Sequence, residues 1–354
     1  MIIDLNHSAI LAIVSLSNYY ELILLTILFT PILILILNKL CRKFNFLDFP
    51  NKRKSHSTPM PISGGLTISI ILMLNLLYCF INLNYQIFDF YINVYVFSLF
   101  FLAIGFIDDL KTFNTKIKVF LLIFLIFCIV FFDPNLVINK LRFYYIFQKT
   151  FILDIFSIPF TIFCIFMLFS ALNYADGKNG IAISVSIFWL IYLLYKIDTN
   201  ILFIFLALLV LLILLLFNLN NKLFLGNSGV NFISIFISLL IIKSYNTQNI
   251  NLYCDEIFLL FYIPGLDAAR VTITRALNKR SPFSPDKTHL HHCLEKIFNT
   301  KFIWLIYIFL CILPIFLLIV LENFFISLVI SSLLYLMLLF YKKFQKIFKP
   351  IGNK

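Results

Sequence analysis

The sequence predicts an all-α, polytopic membrane protein of about eleven transmembrane helices. Three observations carry that prediction. Of 354 residues, 62% are hydrophobic and only 12% are charged, half the charge with which a soluble domain clothes its surface. The mean hydropathy is +1.01. The apolar residues come in unbroken runs such as 201–217, without the alternation of a membrane barrel. Lipid admits only helices or closed barrels, because each spanning backbone must satisfy its own polar groups. The same figures exclude a disordered chain, collagen, a coiled coil and a small disulfide scaffold.

In chain order, the expected spans are 22–40, 62–83, 91–107, 119–132, 151–172, 181–195, 200–217, 228–242, 256–270, 302–320 and 324–341. Each crossing needs about 20 mostly apolar residues; the fourth, sixth, eighth and ninth are short or polar at one end. Met1 to His7 lack a basic n-region, so no cleavable signal peptide is expected. The chain reads as one integral-membrane domain over 1–354, with spans over about 22–342 and a basic tail at 342–354.

Charge orients these spans. With the N-terminus outside and eleven crossings, 23 of the 28 Lys and Arg fall inside. Lys140, Arg142, Lys149, Lys196 and Lys243 fall outside. That is a positive-inside pattern with a cytoplasmic C-terminus. Deleting the doubtful ninth span would carry the seven basic residues of 270–301 outside, so it is kept. The net charge of +12 therefore marks topology. No basic patch on a soluble module suggests a nucleic acid partner. The seven cysteines, Cys41, Cys79, Cys128, Cys164, Cys254, Cys293 and Cys311, show no metal or redox spacing and read as small buried hydrophobes.

Where charge is scarce, its placement informs. Five polar segments fall on the cytoplasmic side: Asp48 to Gly65, Gly105 to Lys118, Asn173 to Gly180, Phe224 to Gly229, and Pro264 to His292. The outer loops hold nothing comparable. Asp, Asn, Lys, Arg and His mixed with Gly suit phosphate groups. Cationic side chains neutralise phosphate oxygens, glycine lets backbone N–H groups approach, and hard Asp and Asn oxygens hold Mg²⁺. A site at the membrane surface takes one substrate from water and one from lipid.

These segments, in this order, resemble the polyprenyl-phosphate N-acetylhexosamine-1-phosphate transferases. That family starts O-antigen, enterobacterial common antigen and teichoic acid synthesis and makes lipid I. The resemblance covers roughly 22–342 and rests mainly on Arg53-Lys54-Ser55-His56 with Pro59, Pro61, Gly64 and Gly65, and on Ser281-Pro-Phe-Ser-Pro-Asp-Lys-Thr-His-Leu-His-His292. The His-x-His-His form looks like the teichoic acid and O-antigen branch. The resemblance implies transfer of a sugar 1-phosphate from a UDP-sugar to undecaprenyl phosphate in the bacterial inner membrane. It also implies Mg²⁺ as cofactor, with Mn²⁺ as an alternative. Membrane lipid surrounds the enzyme, and a homodimer is compatible with the pattern.

The resemblance assigns roles residue by residue. Asp108 and Asp109 end the third span, one near the lipid phosphate and the other near metal or nucleotide. Adjacent helical residues point about 100° apart, so the two have different tasks. Lys118 would contact the diphosphate. Asn173, Asp176 and Asn227 are the metal-ligand candidates, Asp176 also a uridine contact. Arg53, Lys54, His56, Asp267, Arg275, His289, His291 and His292 would bind substrate, the His cluster as hydrogen-bond donors. Read alone, His-x-His-His with Cys293 and Asp286 could also bind Zn²⁺. Two positions depart from the family pattern: Asn179 and Asn227 stand where aspartates are usual. A neutral amide weakens a hard cation site, so an inactive relative that binds lipid phosphate is one rival. A transporter for a phosphorylated lipid or nucleotide sugar is another; it would need charges through mid-membrane.

Overall fold

The computed structural model describes residues 19–50, 58–82, 85–111, 113–197, 201–247, 251–281, 288–298 and 302–347. Arg53, Lys54, His56 and Asp286 lie outside the described residues. The helices are α1 (Tyr20–Lys43), α2 (Gly64–Asn82), α3 (Tyr85–Leu110), α4 (Thr115–Phe132), α5 (Ser157–Ala175), α6 (Ile181–Lys196), α7 (Ile201–Leu219), α8 (Gly226–Asn246), α9 (Cys254–Leu260), α10 (Tyr262–Leu277), α11 (Leu290–Phe298), α12 (Ile303–Leu321) and α13 (Phe324–Ile347).

Among the described residues, nine helices are individually long and apolar enough to cross a membrane, and α9 with α10 form a tenth segment bent by 68°. The expected ninth span, 256–270, is therefore broken rather than straight. Pro264 explains the break: it lacks the N–H that would bond the Leu260 carbonyl four residues earlier. Nε1 of the buried Trp189 donates to that carbonyl instead, at 3.1 Å. The Phe261 ring packs edge-on against the same indole, 4.6 Å between centroids.

α6 corresponds to the expected 181–195 span but has only 16 residues, about 24 Å at 1.5 Å per residue. That is short of the roughly 30 Å hydrocarbon core. It nevertheless runs from one end of the bundle to the other. At its start the Gly180 N–H donates to Asn218 Oδ1 at 2.7 Å. At its end Lys196 pairs with Glu256 at 2.6 Å. Most of its residues are buried, so protein rather than lipid surrounds it.

The centre of the bundle is α8, packed against α3, α5, α2 and α6. It is the least hydropathic of the nine long helices and the most buried. Small polar residues make both true at once. Ser228, Asn231, Ser234 and Ser238 are all buried along it. Ser234 and Ser238 return their hydroxyls to the carbonyls of Asn231 and Ser234, at 3.0 and 2.6 Å. Small side chains let neighbouring membrane helices approach closely.

Two short hairpins sit at opposite ends. β1 (Leu47–Asp48) pairs antiparallel with β2 (Met60–Pro61) beside the polar segments. β3 (Lys140–Arg142) pairs with β4 (Thr150–Ile152) at the far end. Asp255 fastens the second hairpin by accepting the Tyr144 and Tyr145 N–H groups at 3.0 and 2.5 Å. Neither that hairpin nor α11 was foreseen: both are too short to leave a hydrophobic period.

Candidate active site

The first and fourth polar segments are laced together through backbone. The Phe224 N–H donates to the Pro61 carbonyl at 2.8 Å, and Gly64 and Gly65 donate to the carbonyls of Phe224 and Leu225 at 3.0 and 3.2 Å. The opening N–H groups of α2, which have no partner within their own helix, are satisfied this way. The shaped Pro/Gly entry expected before α2 is therefore a docking surface for the Phe224-Leu-Gly-Asn turn. Gly226 takes a left-handed φ of +73°, open to glycine at little cost, and turns the chain into α8.

The second segment grips the same turn. Asp109 Oδ1 accepts the Asn227 N–H at 2.9 Å and its side-chain amide at 3.0 Å, and Oδ2 accepts the Ser228 N–H at 2.9 Å. A carboxylate at the N-terminus of α8 caps its unpaired donors and complements its dipole. Asp108 points elsewhere. Its Oδ2 lies 2.6 Å from Lys118 Nζ and its Oδ1 accepts the Phe113 N–H at 2.9 Å. The two acids turn to different partners: Asp109 holds the fourth segment, and Asp108 holds Lys118.

The third segment contributes Asp176, which follows α5. Its carboxylate keeps solvent-accessible surface, yet protein crowds it from the other sides. That crowding, and then the charges of Asp109 and Asp48, raise its pKa above the ordinary carboxylate range. Asn173 donates its amide to the Phe169 carbonyl at 3.1 Å, with Asn231 Oδ1 at 3.4 Å. In Asn173 and Asn227 alike the amide nitrogen is engaged as a donor, which leaves the oxygen as the atom to face a cation. Asn179 behaves differently. Its amide donates to the Asn218 carbonyl at 3.2 Å and to Asn221 Oδ1 at 2.7 Å. An aspartate has no hydrogen to offer either acceptor, so the amide suits this turn.

The fifth segment closes over the third. Lys178 pairs with Glu295 on α11 at 2.5 Å. The Tyr174 and His289 rings lie 4.9 Å apart. The His291 ring covers Gly177, where an added Cβ would come within 1.9 Å of Nε2. Asp267, expected to bind substrate, is instead only 3% exposed. Its oxygens accept from Arg270, Tyr335, the Leu290 N–H and His289. Arg275 is buried beneath the Tyr174 ring, 5.3 Å from its centroid. Of the alternative zinc set, Asp286 lies outside the described residues; both His289 nitrogens are engaged, and no group of three potential ligands forms among the described residues. Four contributors escaped the sequence reading. Lys178 and Arg270 lie inside the third and fifth polar segments without a role of their own, Glu295 lies beyond them, and Tyr335 is one tyrosine in an apolar run.

The first, second and fourth segments are thus joined through Asp109 and the backbone of the Phe224–Asn227 turn, Asp176 of the third feels the charges of Asp109 and Asp48, and the fifth closes on the third through Tyr174, Gly177 and Lys178. Residues 91–245 match the family model described as glycosyl transferase family 4. Relatives extend the likeness on both sides. The probable undecaprenyl-phosphate N-acetylglucosaminyl 1-phosphate transferase of Bacillus subtilis (strain 168) is 27% identical over 281 residues, 77% of this chain and 75% of that protein. The undecaprenyl-phosphate alpha-N-acetylglucosaminyl 1-phosphate transferase of Escherichia coli (strain K12) is 24% identical over 289 residues, 76% of this chain and 74% of its own. The Thermotoga maritima protein of that same name is 26% identical over 262 residues, 74% and 77% of the two chains. Over residues 91–245 the chain is similar to glycosyl transferase family 4. The family 4 match takes in Asp108, Asp109, Lys118, Asn173, Asp176 and Asn227; the His segment lies beyond it.

His291 carries a pH prediction. It is 2% exposed and neither ring nitrogen has a hydrogen-bond partner. Burial first, then His292 and His289, push its pKa down to about 3. The histidine is therefore neutral at physiological pH. An unfolded histidine titrates near 6.5, so below that pH the unfolded chain binds the extra proton. Stability should fall as pH drops from about 6.5 towards 3, by up to about 1.4 kcal/mol per pH unit. Melting curves of detergent-purified protein between pH 7 and 5 check this. The His291→Gln variant should lose less stability over that range than the parent.

Proposed function

We propose that this chain transfers an N-acetylhexosamine 1-phosphate from a UDP-sugar to undecaprenyl phosphate, releasing UMP, at the cytoplasmic face of the bacterial inner membrane. The observation that carries the reading is the convergence of the five polar segments on one end of the bundle, with Asp109 and the Phe224–Asn227 turn as its joint. The relatives' names supply the acceptor and the sugar-phosphate chemistry. The described charges gather at the two ends of the bundle, and the buried polar residues of α8 are neutral, which argues against a transporter's charged path.

The acceptor phosphate has a second pKa near 6, so it is mostly dianionic at neutral pH. It needs placement and charge neutralisation more than a strong base. The lipid phosphate oxygen attacks the sugar-bearing phosphorus, the bond to UMP breaks, and one phosphoanhydride replaces another. Lys118, steadied by Asp108, and the basic fifth segment would neutralise the diphosphate. Asn173, Asp176 and Asn227 would hold Mg²⁺ or Mn²⁺ through oxygen. An incomplete protein shell fits an ion that takes substrate phosphates and water as its remaining ligands. When bound, the ion supplies electrostatic stabilisation of the diphosphate.

Purified protein offered undecaprenyl phosphate and a panel of UDP-sugars should release UMP with at least one of them, in step with a lipid-linked diphosphosugar seen by mass spectrometry. Excess UMP should return sugar to UDP, because the bonds broken and formed are alike. Absence of UMP with every sugar would overturn the proposal. Asn227→Asp tests the cation. It would set a second carboxylate where the amide now sits 3.0 Å from Asp109, a repulsion that a divalent ion relieves. The variant should melt lower than the parent in chelator and gain more from added Mg²⁺. An unchanged Mg²⁺ response would remove position 227 from the ion's shell.

A further inference from the structure

A line of hydrogen bonds in the fifth segment determines how one imidazole is protonated. Tyr335 on α13 donates its hydroxyl to Asp267 Oδ1 at 2.9 Å and accepts from Arg270 Nε at 2.8 Å. Arg270 Nη2 donates to the same carboxylate oxygen at 2.7 Å and to the Thr288 carbonyl at 2.7 Å. The Leu290 N–H lies 3.2 Å from both Asp267 oxygens. The carboxylate is thereby held at one orientation. Its Oδ2 lies 3.2 Å from His289 Nδ1. On the other side of the ring, Arg275 Nη2 lies 3.2 Å from His289 Nε2.

The chemistry of the two neighbours leaves one arrangement. A carboxylate only accepts, so Nδ1 must carry the proton. A guanidinium only donates, so Nε2 must be bare. His289 is then neutral, with Nδ1 protonated and Nε2 spent on Arg275. A bare nitrogen cannot donate to a phosphate, which is the role the His-x-His-His pattern led us to expect for this residue. Among the described residues, the other titratable groups around the ring are Tyr174 from α5, Tyr335 from α13, Arg270 on α10, and His291 and His292 on α11, with Lys178 and Glu295 beyond them.

We infer that His289 is a positioning residue: the line Tyr335–Asp267–His289 fixes its tautomer so that Nε2 accepts from Arg275 and holds that guanidinium against Tyr174 at the wall of the site. The acceptor, not the donor, is what this position requires. Tyr335, on α13, becomes part of the site's support. The kinetic consequence rests on the transferase reading; the protonation state does not.

Two measurements test this. In detergent-purified protein with ¹⁵N-histidine and no substrate, His289, assigned by its loss in His289→Gln, should show a protonated Nδ1 and a bare Nε2 at pH 7. A protonated Nε2 or a doubly protonated ring would overturn the inference, whether or not the protein transfers sugar. Turnover then separates accepting from donating. In His289→Gln the amide oxygen can reach the place of Nε2 and accept from Arg275; in His289→Asn it reaches only the place of Nδ1. Glutamine should stay within about tenfold of the parent in kcat/KM, while asparagine and alanine lose on the order of 100-fold, the scale of a misplaced site group. Equal losses in all three would overturn the positioning role. Should the parent release no UMP at all, the transferase reading fails while the ¹⁵N result still decides the tautomer.

Discussion

Replacing Asp109 with alanine should remove nearly all turnover while costing only modest stability. One carboxylate caps α8 through three donors: the Asn227 N–H, the Asn227 amide and the Ser228 N–H. Loss of a helix cap costs about 1–2 kcal/mol. The larger effect is geometric. Without Asp109 the end of α3 keeps only its packing at Gly105 against the Asn227 and Ser228 backbone, and the Asn227 amide is free to rotate. A displacement of about 1 Å in a positioned group costs on the order of 100-fold in rate, and here both the turn and the carboxylate facing Asp176 change. Asp109→Asn keeps one accepting oxygen, so it should fall between parent and alanine. A UMP-release assay run beside a melting curve separates the two effects. A melt that collapses in proportion to activity would make Asp109 a folding residue only.

Gly65→Ala should prevent assembly of the site. A Cβ at Gly65 would stand 2.4 Å from the Gly229 nitrogen, 2.6 Å from its Cα and 2.9 Å from the Ser228 carbonyl carbon. All three are backbone atoms of α8, and backbone in a packed bundle has nowhere to go. Overpacking of this kind costs about 1–3 kcal/mol, occasionally more. Here the displaced helix also carries the Gly65 N–H bond to Leu225, so the Phe224–Asn227 turn moves with it. Gly265 supplies the control. An alanine there meets nothing within 4 Å and sits inside α10, where alanine is about 0.5–1 kcal/mol better than glycine. Purified yield and melting temperature should drop sharply for Gly65→Ala and stay level or rise for Gly265→Ala.

The expected spans emerged because lipid makes hydrophobic length an unambiguous signal. Ten of the eleven expected segments are single helices over most of their length, the ninth is two, and its break followed from a proline whose missing donor the sequence reading did not trace. The repair by Trp189 could not be read: it comes from 71 residues away, on a face that only packing reveals. The convergence of the polar segments was legible from one-sided charge. The task of each side chain within it was not. Asp108 and Asp109 are neighbours in sequence, yet one serves Lys118 and the other α8, a division set by helix rotation. Asn179 resembled a lost metal ligand until its donors were seen to hold a turn. Asp267 read as a substrate contact, because four donors arriving from three regions of the chain leave no trace in a linear pattern.

The account depends on the paired acids after α3 and the histidine segment before α11 sharing one aqueous face. Reporter fusions made after Lys111 and after Ser281, each carrying a domain active only in the cytoplasm, test this directly. Both fusions should be active. Activity in one and silence in the other would place the two halves of the site on opposite sides of the lipid and contradict the account.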